Sequence, residues 1–101
     1  MYQVLESDWK LLKERIPHWQ ERYMARLLEE YKAIIESNKV ASERFWRLNK
    51  RINKDKSSVG VTISLRRSNM LFHIRALIKD NVISKDELKI FSQELQEEMN
   101  D

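Results

Sequence analysis

A chain of 101 residues without cysteine is bounded to one small domain, with no disulfide framework, no thiolate nucleophile and no cysteine zinc site. A single glycine and a single proline beside 42% hydrophobic residues point to long helices with few tight turns and enough apolar surface for a core. The net charge of +3 is unevenly spread, because residues 1–38 sum to −1, residues 39–79 to +9 and residues 80–101 to −5. A basic middle and an acidic end imply either a surface for a polyanion or pairing of the two within the molecule.

The first helix is expected to start at Ser7 or Asp8, whose side chains suit an N-cap. Trp9, Leu12 and Ile16 then share a face. Pro17 would cost about 3 kcal/mol inside a helix, so it is expected to open a second one. From Pro17 to Ser37 two apolar ridges stand side by side, Trp19, Tyr23, Leu27, Ile34 and Met24, Leu28, Tyr31, Ile35. Together they predict one broad face laid across a core, with Glu21, Arg22, Arg26, Glu29, Glu30 and Lys32 on the wet side. Ser37-Asn38-Lys39 reads as a turn. A third helix is expected from Val40 or Ser42 to Asn53, with a narrow apolar face of Phe45, Leu48 and Ile52 and with Trp46 to one side. Its remaining surface is basic: Arg44, Arg47, Lys50, Arg51 and Lys54.

Asn53–Ser58 is polar and reads as a linker. It divides a helical N-terminal half, 1–56, from a second unit at 59–101 within one domain. Val59, Val61, Ile63 and Leu65 alternate with Gly60, Thr62, Ser64 and Arg66, a period of two that favours an extended segment. A strand here needs a partner, which a second copy of the chain supplies; otherwise the segment is a lead-in to the next helix. That helix is expected at Ser68–Asp80, burying Met70, Leu71, Ile74, Leu77 and Ile78 and leaving His73 at the boundary. Asn81 suits a left-handed helix stop. Ser84 with Glu87 forms a capping box, Ile83 with Leu88 a hydrophobic staple, and Leu88, Phe91, Leu95 and Met99 continue the buried face of a last helix. The fold class is therefore all-α: about five helices in one bundle-like domain, with a short extended segment near 60–65.

V-T-I-S-L at 61–65, the apolar set Met70, Leu71, Ile74 and Leu77, and V-I-S-K-D-E-L at 82–88 together resemble the ribbon–helix–helix DNA-binding fold over the C-terminal third. The resemblance implies a dimer whose paired strands enter the major groove. Thr62, Ser64 and Arg66 would face the bases, and the helix start near Ser84 and Lys85 would face a phosphate. Over most of the chain, I-P-H-W-Q at 16–20, F-W-R-L at 45–48, K-R-I at 50–52, R-S-N-M at 67–70 and the V-I-S-K-D-E-L run look like a family of small uncharacterised proteins from Gram-positive bacteria. That likeness implies a small bacterial domain and no particular activity.

His18 and His73 are far apart, with no second ligand at metal spacing, and no phosphate loop, nucleophile elbow or zincin motif is present. Adjacent acidic pairs such as Glu29-Glu30 and Glu97-Glu98 diverge on a helix. The expectation is a non-enzymatic interaction or regulatory protein with no cofactor and with a protein partner. The alternative is a dimeric DNA-binding regulator using Arg44, Arg47, Lys50, Arg51, Lys54, Thr62, Ser64, Arg66 and Arg67. No apolar run approaches the roughly 20 residues of a membrane span. The first residues lack the regions of a signal peptide, so a cytoplasmic location with no membrane partner is expected.

Overall fold

Leu12, Ile16, Trp19, Tyr23 and Leu27 recur at intervals of three and four, and all five are buried on one helix. In the computed structural model, which describes residues 2–100, that helix is α1, Glu6–Ile35. It is followed by α2 (Ala41–Asp55), α3 (Met70–Lys79) and α4 (Gln93–Met99). Short 3₁₀ segments lie at Arg67–Asn69, leading into α3, and at Lys85–Ile90. The class is all-α. Five helical segments result when the first 3₁₀ turn is counted with α3, but they are divided differently from the expectation.

Pro17 lies inside α1 and does not open a second helix. A proline removes one helical hydrogen bond at a cost of about 3 kcal/mol. Burying each of the apolar side chains around it contributes about 1.5–3 kcal/mol. A break at Pro17 would rotate Leu12 and Ile16 out of line with Trp19 and Tyr23. The continuous ridge outweighs the proline, whose ring sits on the exposed side.

At the other end, the expected single helix is two. The 3₁₀ segment stops at Phe91, which is extended, and α4 restarts with Ser92 as its N-cap. The cause is Asp8. Its carboxylate accepts the Ser92 backbone N–H at 2.9 Å, the Ser92 hydroxyl at 2.6 Å and the Tyr2 hydroxyl at 2.8 Å. The Ser92 hydroxyl oxygen in turn accepts the Leu95 N–H at 3.2 Å. Asp8 is therefore not the N-cap of α1; the helix begins at Glu6 after Leu5, without a side-chain cap. Burial and the neighbouring Asp8 carboxylate push the Tyr2 phenol up to about 12, against the opposing hydrogen bond from the Leu5 N–H. Despite the break, Leu88, Phe91, Leu95 and Met99 are all buried as expected, and Phe91 meets the Trp19 ring edge-on at 6.5 Å.

Asn81 takes φ 60°, the left-handed stop expected there, and the Val82 N–H closes back on the Leu77 carbonyl at 2.9 Å. The Glu87 carboxylate accepts the Ser84 N–H at 2.8 Å, within the expected capping box. Arg22 on α1 grips the same carboxylate at 2.7 and 3.0 Å and the Val82 carbonyl at 2.9 Å. Burial alone would raise the Glu87 carboxyl; Arg22 and the Ser84 N–H outweigh it and hold the group below the usual range. Arg26 adds a bond to the Asn81 carbonyl at 2.6 Å, so α1 is the spine to which the α3 hairpin is tied.

α2 extends through Asn53 to Asp55, shortening the expected linker to the turn at 56–61. Residues 62–66 are extended without strand pairing inside the chain. Val61, Ile63 and Leu65 pack against the core while Thr62, Ser64 and Arg66 are exposed. Gly60 is buried in the turn before them, against the Tyr23 ring.

His73 is only 8% exposed, deeper than the boundary position expected, and neither ring nitrogen has a hydrogen-bond partner. Burial holds its pKa below the usual 6.5. A folded-state pKa lowered in this way favours the neutral ring. The contribution is whole above the unfolded-state value of about 6.5 and is lost as pH falls below it. In urea melts His73→Leu should flatten the decline in stability as pH falls below about 6.5. An unchanged slope would show that His73 does not carry it.

Candidate interaction surface

Beyond Leu27, α1 keeps Tyr31 against the core and continues to Ile35 as one arm of a hairpin whose other arm is α2. Polar contacts hold the arms antiparallel. Tyr31 donates its hydroxyl to Asp55 at 2.5 Å, Arg51 reaches Glu30 at 2.9 Å and Asp55 at 3.3 Å, and Arg44 closes the tip on the Ile35 and Lys39 carbonyls at 2.7 and 2.9 Å. Burial, reinforced by Asp55, pushes the Tyr31 phenol up to about 12. The Glu30 hydrogen bond raises the Arg51 guanidinium further. Buried Asp55 is thus the keystone of this joint.

No apolar side chain of α2 is buried. Phe45 is 64% exposed, Trp46 65% and Ile52 37%, while Leu28 on α1 is 63% and Ile35 49% exposed. Of the two ridges expected to lie on the core, Trp19-Tyr23-Leu27 does so fully; of the other, Tyr31 packs against the core while Leu28 and Ile35 face outward. The two arms turn Leu28 and Ile52 to one side. Met24, Leu27, Leu28, Tyr31, Ile52 and Val61 line one shallow, almost wholly apolar groove of about 210 Å³. Phe45, seven residues from Ile52, continues it toward the tip on the same helical face. Phe45 and Trp46 stack edge to face at 5.1 Å.

A polar cleft of about 660 Å³ also lies between the arms, lined by Arg26, Glu30, Arg51, Lys54, Asp55, Ser58 and Asp80 among others. Its cations are largely engaged: Arg26 with Asn81, and Arg51 with Glu30 and Asp55. Among the described residues no group of three or more His, Asp or Glu side chains is placed to hold a metal ion.

The nine residues expected to meet a polyanion do not form one uniform surface. Arg44 and Arg51 are consumed in the hairpin joint, and Arg67 pairs with Glu6 and bonds the Val4 carbonyl at 3.3 Å. Arg47, Lys50 and Lys54 are exposed, as are Thr62, Ser64 and Arg66 on the extended segment. Among the described residues no ion pair joins the basic stretch at 39–79 to the acidic one at 80–101; Arg67 and Arg51 look to Glu6, Glu30 and Asp55. The exposed apolar face was the feature sequence reasoning missed. Its signal was present in the heptad-like spacing of Met24, Leu28, Tyr31 and Ile35, one stripe beside the core ridge.

No protein-family model, curated protein or solved structure matches the chain. Among the described residues no helix is long and apolar enough to cross a membrane.

Proposed function

We propose that the chain is a non-enzymatic interaction module whose working surface is the apolar face of the α1/α2 hairpin. The observation that carries this reading is the exposure of Leu28, Ile35 and Phe45 on a hairpin from which Tyr31, but no apolar side chain of α2, packs against the core. Contiguous apolar patches of a few hundred Å² on a folded chain mark partner sites, and aromatic residues flanked by polar ones are typical of their centres. The side-chain joint at Tyr31, Asp55, Arg51 and Glu30 holds the two arms in fixed register without needing that face.

The test is photo-cross-linking in the cells that express the chain. A benzophenone amino acid placed at Phe45 should yield a discrete adduct, and the same group at exposed Glu14 should not. Absence of an adduct at position 45 would overturn the reading. A second reading, a nucleic-acid-binding regulator, draws on Arg47, Lys50, Lys54 and Arg66, which are exposed and have no ion-pair partner among the described residues, and on the outward row of Thr62 and Ser64. Nuclease treatment separates the two: an adduct that nuclease removes belongs to the second reading, and one that survives belongs to the first.

A further inference from the structure

We infer that the apolar face of the hairpin closes on the same face of a second copy of this chain, forming a four-helix bundle about a two-fold axis. The inference rests on the interaction reading above and names its partner.

Three features select a second copy. The first is commensurate spacing. Leu28 and Ile35 lie seven residues apart on α1, as do Phe45 and Ile52 on α2, so both arms present apolar groups about 10 Å apart. The antiparallel register puts Ile52 beside Leu28 in one groove and Phe45 toward the Ile35 end, where Arg44 reaches the Ile35 carbonyl. A two-fold axis parallel to the helices lays each α2 over the partner's α1. Leu28 then meets Ile52 of the partner subunit, and Ile35 meets Phe45 of the partner subunit. Every neighbouring pair of helices is antiparallel, as in an up-and-down bundle, and the face is self-complementary as a two-fold interface requires.

The second feature is charge. Residues 21–36 of α1 sum to −1, while Ala41–Asp55 sums to +3. Laying α2 across the partner's α1 sets opposite charges together, whereas stacking α2 on α2 would set like charges together. The third is area. Phe45, nearly two-thirds exposed, is of a size that buries about 150–250 Å², and Leu28, Ile35 and Ile52 add to it toward the roughly 800 Å² per partner of a standard interface. Two helices also form only one layer, and domains are built by covering such a layer with another.

The test is sedimentation equilibrium of the purified full chain from about 1 to about 100 µM. The expected result is a monomer–dimer equilibrium with a dissociation constant of about 10 µM. Leu28→Glu with Phe45→Glu should raise that constant at least 100-fold, about 2.7 kcal/mol, with unchanged helical circular dichroism. Leu28→Gln with Phe45→Gln serves if the acidic pair fails to fold. Glu14→Gln, exposed on α1 outside the hairpin, should leave the dimer intact. A wild-type chain that stays monomeric at 100 µM, or a dimer that survives the Leu28/Phe45 change, overturns self-pairing. The Phe45 cross-link then tells the two claims apart. An adduct with a different protein keeps the hairpin face as a docking site and removes only the second copy. No adduct removes both.

Discussion

Asp8→Ala is expected to lower unfolding stability by about 3 kcal/mol and the melting temperature by about 12–24 °C. Asp8 is 3% exposed and accepts three hydrogen bonds, two from Ser92 and one from Tyr2. Its carboxylate joins the first helix to the start of the last one, 84 residues away. Alanine strands the Ser92 N–H and the Tyr2 hydroxyl without their acceptor, and a part-buried donor left unpaired costs about 1–3 kcal/mol. It also frees the N-cap of α4, a further contribution of about 1 kcal/mol. Asp8→Asn should fall between, because the amide nitrogen cannot accept where the second oxygen did. Urea unfolding monitored by circular dichroism measures this, and a loss for Asp8→Ala of less than about 1 kcal/mol would show that the contact does not anchor α4.

Gly60→Ala is expected to cost about 2 kcal/mol, although alanine at an unstrained glycine normally stabilises by about 0.4–1 kcal/mol. The sign is reversed by sterics, since the backbone of Gly60 has no positive φ. A Cβ there would fall 2.2 Å from Cδ2 of the Tyr23 ring and 2.6 Å from Cε2 and Cγ. Tyr23 is 8% exposed, with the Arg26 guanidinium 5.0 Å from its ring centroid, so moving the ring away disturbs its surroundings. The coupling identifies the cause. In a Tyr23→Leu background the added cost of alanine should shrink by at least about 1 kcal/mol. Equal costs in both backgrounds would place the strain elsewhere.

Much of this architecture was legible in the sequence because apolar period and capping chemistry are local. The apolar sets Leu12-Ile16 and Trp19-Tyr23-Leu27, read as two helices, the buried set from Met70 to Leu77, Asn81 as a left-handed stop and the Ser84–Glu87 box need only neighbouring residues to specify them. The alternation of Val61, Ile63 and Leu65 with Thr62, Ser64 and Arg66 also became an extended segment with one face on the core. Contacts across long separations were not legible. Ser92 breaks the last helix through Asp8, and Asp55 extends α2 through Tyr31. Neither pairing leaves a mark at any fixed spacing. Pro17 misled for a related reason: its local cost is plain in the sequence, while the continuous core ridge that overrides it is a tertiary gain.

The interaction surface was half legible. Phe45, Leu48 and Ile52 form an apolar face by spacing, and Met24, Leu28, Tyr31 and Ile35 form another. Spacing does not say whether such a face is covered by the chain's own core or by something else. The core is already closed by α1, α3, α4 and the 59–66 segment, so the hairpin face is left over. Arg44 and Arg51, counted at first with a basic surface, turn out to fasten the arms that display it.

The central claim is that this face serves a partner and not the chain's own fold, and the melting temperature of Leu28→Glu with Phe45→Glu tests it most directly. Measured at about 1 µM or below, where association contributes little, the variant should melt within about 3 °C of the wild type, because surface changes stay near ±0.5 kcal/mol. A fall of more than about 10 °C, the mark of charge forced into a packed interior, would place Leu28 and Phe45 in the core and contradict the account.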